Sequence, residues 1–240
     1  MKVSIFVTCV VDQLWSSIGT SSVAVLRRAG CDVEFDERQT CCGQPAFNTG
    51  YRDEARRVAK RFIEVFEESR AEAIVSPSGS CVAMVHHFPE LFGEDPQWLE
   101  RAQAIAARTH ELSSLLIRVL KVDDVGASWQ GKLTWHDACH GLRDLNIKSE
   151  PRSLIRKVRG AELIELENAE ACCGFGGTFS VKYPEISLAI LDQKIEAIER
   201  AGVNAVVSGD ASCLMQIGGR LSRRGSSVEV MHLAELLNHT

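Results

Sequence analysis

An adjacent cysteine pair followed by glycine occurs twice in this chain, as Cys41-Cys42-Gly43 and Cys172-Cys173-Gly174. Each copy is flanked by two single cysteines at matching distances. The first set, Cys9, Cys41, Cys42 and Cys81, has gaps of 32, 1 and 39; the second, Cys139, Cys172, Cys173 and Cys213, has gaps of 33, 1 and 40. Eight of the nine cysteines belong to this repeat, so the chain is expected to fold as two related halves. In each half, four thiols are drawn together from distant segments.

The rest of the chain agrees with a duplicated α/β fold. AIVSPSGSC (73–81) aligns without a gap on AVVSGDASC (205–213), each a buried strand delivering its last cysteine. Apolar runs ending near Cys9 (Val3 to Val7) and Cys139 (Leu133, Trp135) read as strands that open the two halves. Residues 13–29 and Pro151–Val158 read as helices, each followed by a glycine and a strand, near Asp32–Asp36 and at Leu163–Leu166. Ala55, Val58, Ala59, Phe62, Ile63 and Phe66 recur at three- and four-residue spacing, which predicts an amphipathic helix over Tyr51–Arg70. Leu188, Leu191, Ile195 and Ile198 repeat that pattern. Alternating strands and helices imply mostly parallel sheets with flanking helices, and in such sheets sites form at the carboxyl ends of the strands. Residues 97–120, with Ile105, Leu112, Leu116 and Val119 on one face, are expected to form a linking helix. The chain closes with a strand at Ser227–Met231 and a helix at His232–Asn238. Gly126–Gly131 is the expected boundary, giving a first domain at 1–126 and a second at 127–240.

Composition narrows the function classes. An apolar fraction of 45% with 25% charged residues suits a globular core. The net charge of −5 argues against nucleic acid as a main partner. No stretch reaches the ~20 apolar residues of a membrane span, and the start lacks the apolar core of a signal peptide. The expected location is therefore the cytoplasm, where a cysteine pattern points to metal or redox chemistry before disulfides. No Walker loop or GxGxxG motif makes a case for nucleotide.

Four converging thiolates suit an iron–sulfur cluster or zinc. The spacing favours the cluster, because zinc sites usually carry short Cys-x-x-Cys knuckles and neighbouring cysteines strain to share one small ion. Gly43 and Gly174 either let backbone amides approach the sulfurs or simply make a tight turn.

These residues, with HDACHGLRDLNIKSEPRSLI (136–155), ACCGFGGTFSVKYPEIS (171–187) and SPSGSC (76–81), resemble the tandem cysteine-rich CCG domains of the lactate utilisation protein A family. Related domains occur in the cysteine-rich subunit of heterodisulfide reductase and in the iron–sulfur subunit of glycolate oxidase. The resemblance covers essentially the whole chain. It implies a [4Fe-4S] cluster, one or two per chain, held by Cys9, Cys41, Cys42, Cys81, Cys139, Cys172, Cys173 and Cys213. It also implies an oxidoreductase component, active with partner subunits, of a complex that oxidises L-lactate to pyruvate. The implied partners are a ferredoxin-type iron–sulfur subunit and a third subunit. The alternatives are a thiol/disulfide oxidoreductase, a glycolate oxidase-type subunit, or a zinc-stabilised scaffold without redox function. In the heterodisulfide reductase chain each motif ends in Cys-x-x-Cys and supplies five sulfurs. Here Ser78 and Asp210 stand where the first of those cysteines would be.

Among other candidates, His136, Asp137 and His140 surround Cys139 and could move protons, orient a thiolate or bind a carboxylate; the competing use is structural hydrogen bonding. The first half has Val7 and Thr8 in that region, which would make the second half the more reactive. His86 and His87 are either ligands or helix-surface residues. Arg143, Arg152, Arg156, Lys157 and Arg159 form a basic stretch that either docks an acidic group or lies on a solvated helix face. Cys31, without a counterpart, is expected to be a buried core residue.

Overall fold

Val3 and Ile5 alternate with Ser4 and Phe6 along the first strand, and all four are buried, so this strand is covered on both faces. The computed structural model describes residues 1–240 and places that strand inside one of two four-stranded sheets. The first sheet contains β1 (Lys2–Ile5), β2 (Asp32–Glu34), β3 (Ala73–Ser76) and β4 (Thr109–Glu111), in the order β2-β1-β3-β4. The second contains β5 (Ser128–Trp135), β6 (Arg159–Leu163), β7 (Ala205–Ser208) and β8 (Glu229–His232), in the order β6-β5-β7-β8. Every pairing is parallel. The order reverses between β1 and β3 and between β5 and β7, so the loops leaving those strands diverge and open a crevice at their carboxyl ends.

Helices cover both faces of each sheet. On one face of the first, Phe6 meets Phe62 edge-on at 4.8 Å and Phe66 at 5.9 Å, under the helix Arg52–Glu67. The corresponding face of the second carries Leu191, Ile195 and Ile198 of the helix Pro184–Ala201. The remaining faces turn toward each other across a common core. That core joins Val3, Ile5 and Val75 to Leu133, Trp135 and Val207 through side chains of the helices Ser16–Arg28 and Leu233–Asn238. Polar contacts at its edge include Ser17 Oγ to Glu235 Oε1 at 2.7 Å and Arg28 Nη2 to the Leu237 carbonyl at 2.6 Å. No helix is long and apolar enough to cross a membrane.

Three expectations change. The linking helix over 97–120 is broken: the helix Pro96–Ala107 ends before β4, and Leu112–Ser114 leads into a π-helical turn at Leu115–Val119. Buried Thr109 and Glu111 belong to the sheet edge, where strand pairing overrides helical periodicity. Strand β6 lies at Arg159–Leu163, before the expected Leu163–Leu166. Finally, Cys81 and Cys213 are each the third residue of the following helix, Gly79–His86 and Ala211–Arg223.

Candidate metal centre between the two halves

Each of the eight repeated cysteines follows the carboxyl end of a strand. Cys9 and Cys139 open the short helices that follow β1 and β5; the pairs lie in loops after β2 and β6. Cys81 and Cys213 occupy the first turns of helices after β3 and β7. Exposure follows the repeat: Cys42, Cys81, Cys173 and Cys213 are buried, whereas Cys9, Cys41, Cys139 and Cys172 are partly or fully open. All eight line one cavity of about 200 Å³ whose wall also includes Pro45, Ala138 and Phe175.

The thiols of each half are in contact. Cys9 Sγ lies 3.7 Å from Cys41 Sγ, and Cys173 Sγ lies 3.2 Å from Cys213 Sγ. The amide of Gly43 donates to Cys41 Sγ at 3.4 Å, and that of Gly174 to Cys172 Sγ at 3.3 Å. These glycines have φ of +83° and +81°. A Cβ on Gly174 would stand 2.4 Å from the Ser187 carbonyl oxygen, so turn conformation and close approach both require glycine here. Cys41 is held well below the usual thiol range by the thiols of Cys42 and Cys9 and the Gly43 amide. Cys172 is lowered likewise by Cys139, Cys173 and Gly174. Cys31 lies apart from both quartets, in the common core.

The loops are pinned by side-chain bonds. Gln39 accepts from the Val7 amide at 2.7 Å and donates to the Ile5 carbonyl at 3.2 Å, tying the Cys9 and Cys41 loops together. Gln44 Nε2 donates to the Ser80 carbonyl at 2.9 Å. Asp210 caps its own helix through Ser212 N at 3.3 Å and accepts from Ser80 N of the other half at 3.0 Å. Its carboxylate thus joins the halves. Ser78 Oγ lies 3.2 Å from Ser80 Oγ.

The cysteine-rich domain model named CCG matches residues 3–86 and 133–218. Lactate utilization protein A of Halalkalibacterium halodurans is 51% identical to this chain, covering 100% of it and 97% of the relative. The protein of that name from Bacillus subtilis is 48% identical, over 99% of each chain. The chain belongs to the CCG-domain family of lactate utilization protein A. Among solved structures, a hypothetical protein from Helicobacter pylori shares the fold at a TM-score of 0.63 with 8% identity. The match covers 98% of this chain and 48% of that one.

Within this family member, the other candidates separate clearly. Asp137 is bound bidentately by Arg152, with Nη1–Oδ1 at 2.9 Å and Nη2–Oδ2 at 2.7 Å, and also accepts from Trp135 Nε1 at 2.8 Å. It is a buried structural carboxylate. Arg152 is buried too and reaches Glu165 at 2.8 Å, while Arg143, Arg156, Lys157 and Arg159 are exposed. The basic stretch is thus a solvated surface with one member turned inward. His86 Nε2 contacts the Thr109 carbonyl at 2.9 Å and His87 Nδ1 contacts Glu90 at 2.6 Å; neither approaches the cysteines. His140 faces the cavity with Nδ1 3.6 Å from Cys139 Sγ. His136 is 1% exposed, and neither ring nitrogen has a hydrogen-bond partner. One of its ring nitrogens and the sulfurs of Cys173 and Cys213 lie within 4.8 Å of one another. Burial, with the Lys194 charge, pushes its pKa down to about 3, so it is neutral at pH 7. Its counterpart in the first half is Phe6: the Phe6 and His136 amides donate to Val75 and Val207, both at 2.8 Å. Val7 matches Asp137.

Sequence inspection missed Lys194, a fully buried lysine beneath the second quartet. It stands where the helical pattern requires an apolar residue, and that mismatch is the available signal. The donor set fits a soft metal group: four thiols, amide donors to sulfur, and helix amino termini converge in each half.

Proposed function

We propose that this chain is the iron–sulfur electron-transfer component of an assembly that oxidises L-lactate to pyruvate. One quartet, Cys9, Cys41, Cys42 and Cys81, would hold the first cluster; Cys139, Cys172, Cys173 and Cys213 would hold the second. The observation that carries this is the convergence of both quartets on one cavity. The substrate rests on the name of the relatives. A bound cluster would supply one-electron transfer. The buried thiols of each half would anchor it, the Gly43 and Gly174 amides would offset negative charge on sulfur, and Pro45, Ala138 and Phe175 would limit water in the cavity. Lactate oxidation releases two electrons and two protons, and the assembly provides the two-electron step. A ferredoxin-type iron–sulfur subunit and a third subunit are the proposed partners, in the cytoplasm.

A second function class, a zinc-stabilised scaffold, is favoured by one measurement. Zinc–sulfur bonds of about 2.3 Å place tetrahedral sulfurs roughly 3.8 Å apart, near the 3.7 Å between Cys9 and Cys41. Iron, acid-labile sulfide and zinc assays on anaerobically purified protein, with electron paramagnetic resonance, separate the two. Iron and sulfide are expected; stoichiometric zinc without sulfide would sink the cluster. Cys172→Ala should lower cluster content and Cys31→Ala should leave it unchanged. Copurification with the partner subunits and an assay across lactate, glycolate and other 2-hydroxy acids tests the substrate.

A further inference from the structure

The halves repeat with one chemical exception directly below the thiols. Six buried positions of the helix Arg52–Glu67, namely Ala55, Ala59, Phe62, Ile63, Val65 and Phe66, recur 132 residues later as Ser187, Leu191, Lys194, Ile195, Ala197 and Ile198. Phe62 therefore corresponds to Lys194, and the strand-end hydrogen bonds match Phe6 to His136. The first half has an aromatic pair at 4.8 Å where the second has an imidazole and an amine, each 1% exposed.

Lys194 is held in place by the cysteine loop. Lys194 Nζ donates to the carbonyls of Asn168 at 2.7 Å and Ala169 at 3.0 Å, shortly before Cys172. His136, unpartnered within the protein, has a ring nitrogen within 4.8 Å of the sulfurs of Cys173 and Cys213. A buried amine and an orphaned imidazole are costly to keep unless a negatively charged or hydrogen-bonding group sits beside them. Burial disfavours the Lys194 ammonium, and the Asp137 carboxylate and the sulfurs of Cys173, Cys172 and Cys213 pull the other way.

We propose that His136 and Lys194 give the second site a more positive reduction potential than the first, so that an electron shared within the chain resides in the second half. This rests on the cluster assignment above. One-electron reduction adds a negative charge to a buried group; an ammonium and an imidazole N–H stabilise that charge, and the Phe6–Phe62 pair does not. Electron transfer between halves oxidises the first site by one electron and reduces the second by one, with no bond made or broken. His136 and Lys194 are positioning residues that act through the cluster.

The test is a potential-controlled electron paramagnetic resonance titration of the anaerobically loaded full chain. Two waves are expected: the more positive one is lost in Cys172→Ala, and the more negative one in Cys41→Ala. Lys194→Met and His136→Phe should each lower the positive wave and leave the other in place, while Lys194→Arg should retain it. Equal potentials, the reverse assignment, or a wave insensitive to both substitutions would overturn the proposal. If Lys194→Met and His136→Phe fail to take up iron, the two cysteine variants still decide the order of the sites. Loaded clusters with equal potentials refute this inference alone, whereas protein without acid-labile sulfide refutes the cluster assignment as well.

Discussion

Asp137 illustrates what a residue's neighbours in sequence conceal. Its place beside Cys139 suggests proton chemistry, but Arg152, fifteen positions later, claims both carboxylate oxygens in a pair with side chains 1% and 10% exposed. Removing Asp137 leaves buried Arg152 with Glu165 alone, so Asp137→Ala is expected to cost about 3 kcal/mol in chemical denaturation of the metal-free protein. A loss below ~1 kcal/mol would mean that the pair is replaceable. Gly174 was legible as a turn glycine, but not its 2.4 Å approach to the Ser187 carbonyl. Gly174→Ala should destabilise by about 2–4 kcal/mol from strain and overlap. Gly43→Ala, whose Cβ would meet the Val58 side chain at 3.3 Å, should cost less because a side chain can shift. Equal losses would show that φ alone governs both positions.

At the scale of elements, long amphipathic helices were the most legible. The apolar spacing over Tyr51–Arg70 predicts the observed helix Arg52–Glu67, because a buried face constrains many residues at once. Strand β4 was hidden because three residues at a sheet edge carry too little periodic signal, and Leu112 and Leu116 extend an apparently helical pattern through it. Its counterpart β8 ends in His232, whose imidazole caps the last helix. Nδ1 accepts from Ala234 N at 3.0 Å and Nε2 donates to the Pro77 carbonyl at 2.8 Å, an arrangement that needs the neutral ring. Burial keeps its folded pKa below the ordinary 6.5. Because the unfolded chain takes up that proton first, stability contributed by His232 is complete above pH 6.5 and is lost as pH falls below it. Thermal unfolding of metal-free protein should show this slope, and His232→Asn should flatten it. An unchanged slope would place the titration elsewhere.

Across the whole molecule, the two sheets share a core drawn from both halves of the repeat. We propose that the halves are structural repeats that unfold together. Calorimetry of the metal-free chain should show one transition, and residues 127–240 expressed alone should show none; two separable transitions would refute this. Eight cysteines at matched spacing showed by sequence alone that the chain is a duplication, and the helical and strand periodicities that its architecture is α/β, since spacing and periodicity are local records. Only tertiary structure decided that both quartets open on one cavity, that Asp210 joins the halves and that Asp137 is committed to Arg152. It also brought Lys194 and His136, 58 positions apart, beneath the same thiols. These relations depend on how two sheets pack against each other, and chain order does not encode that distance directly.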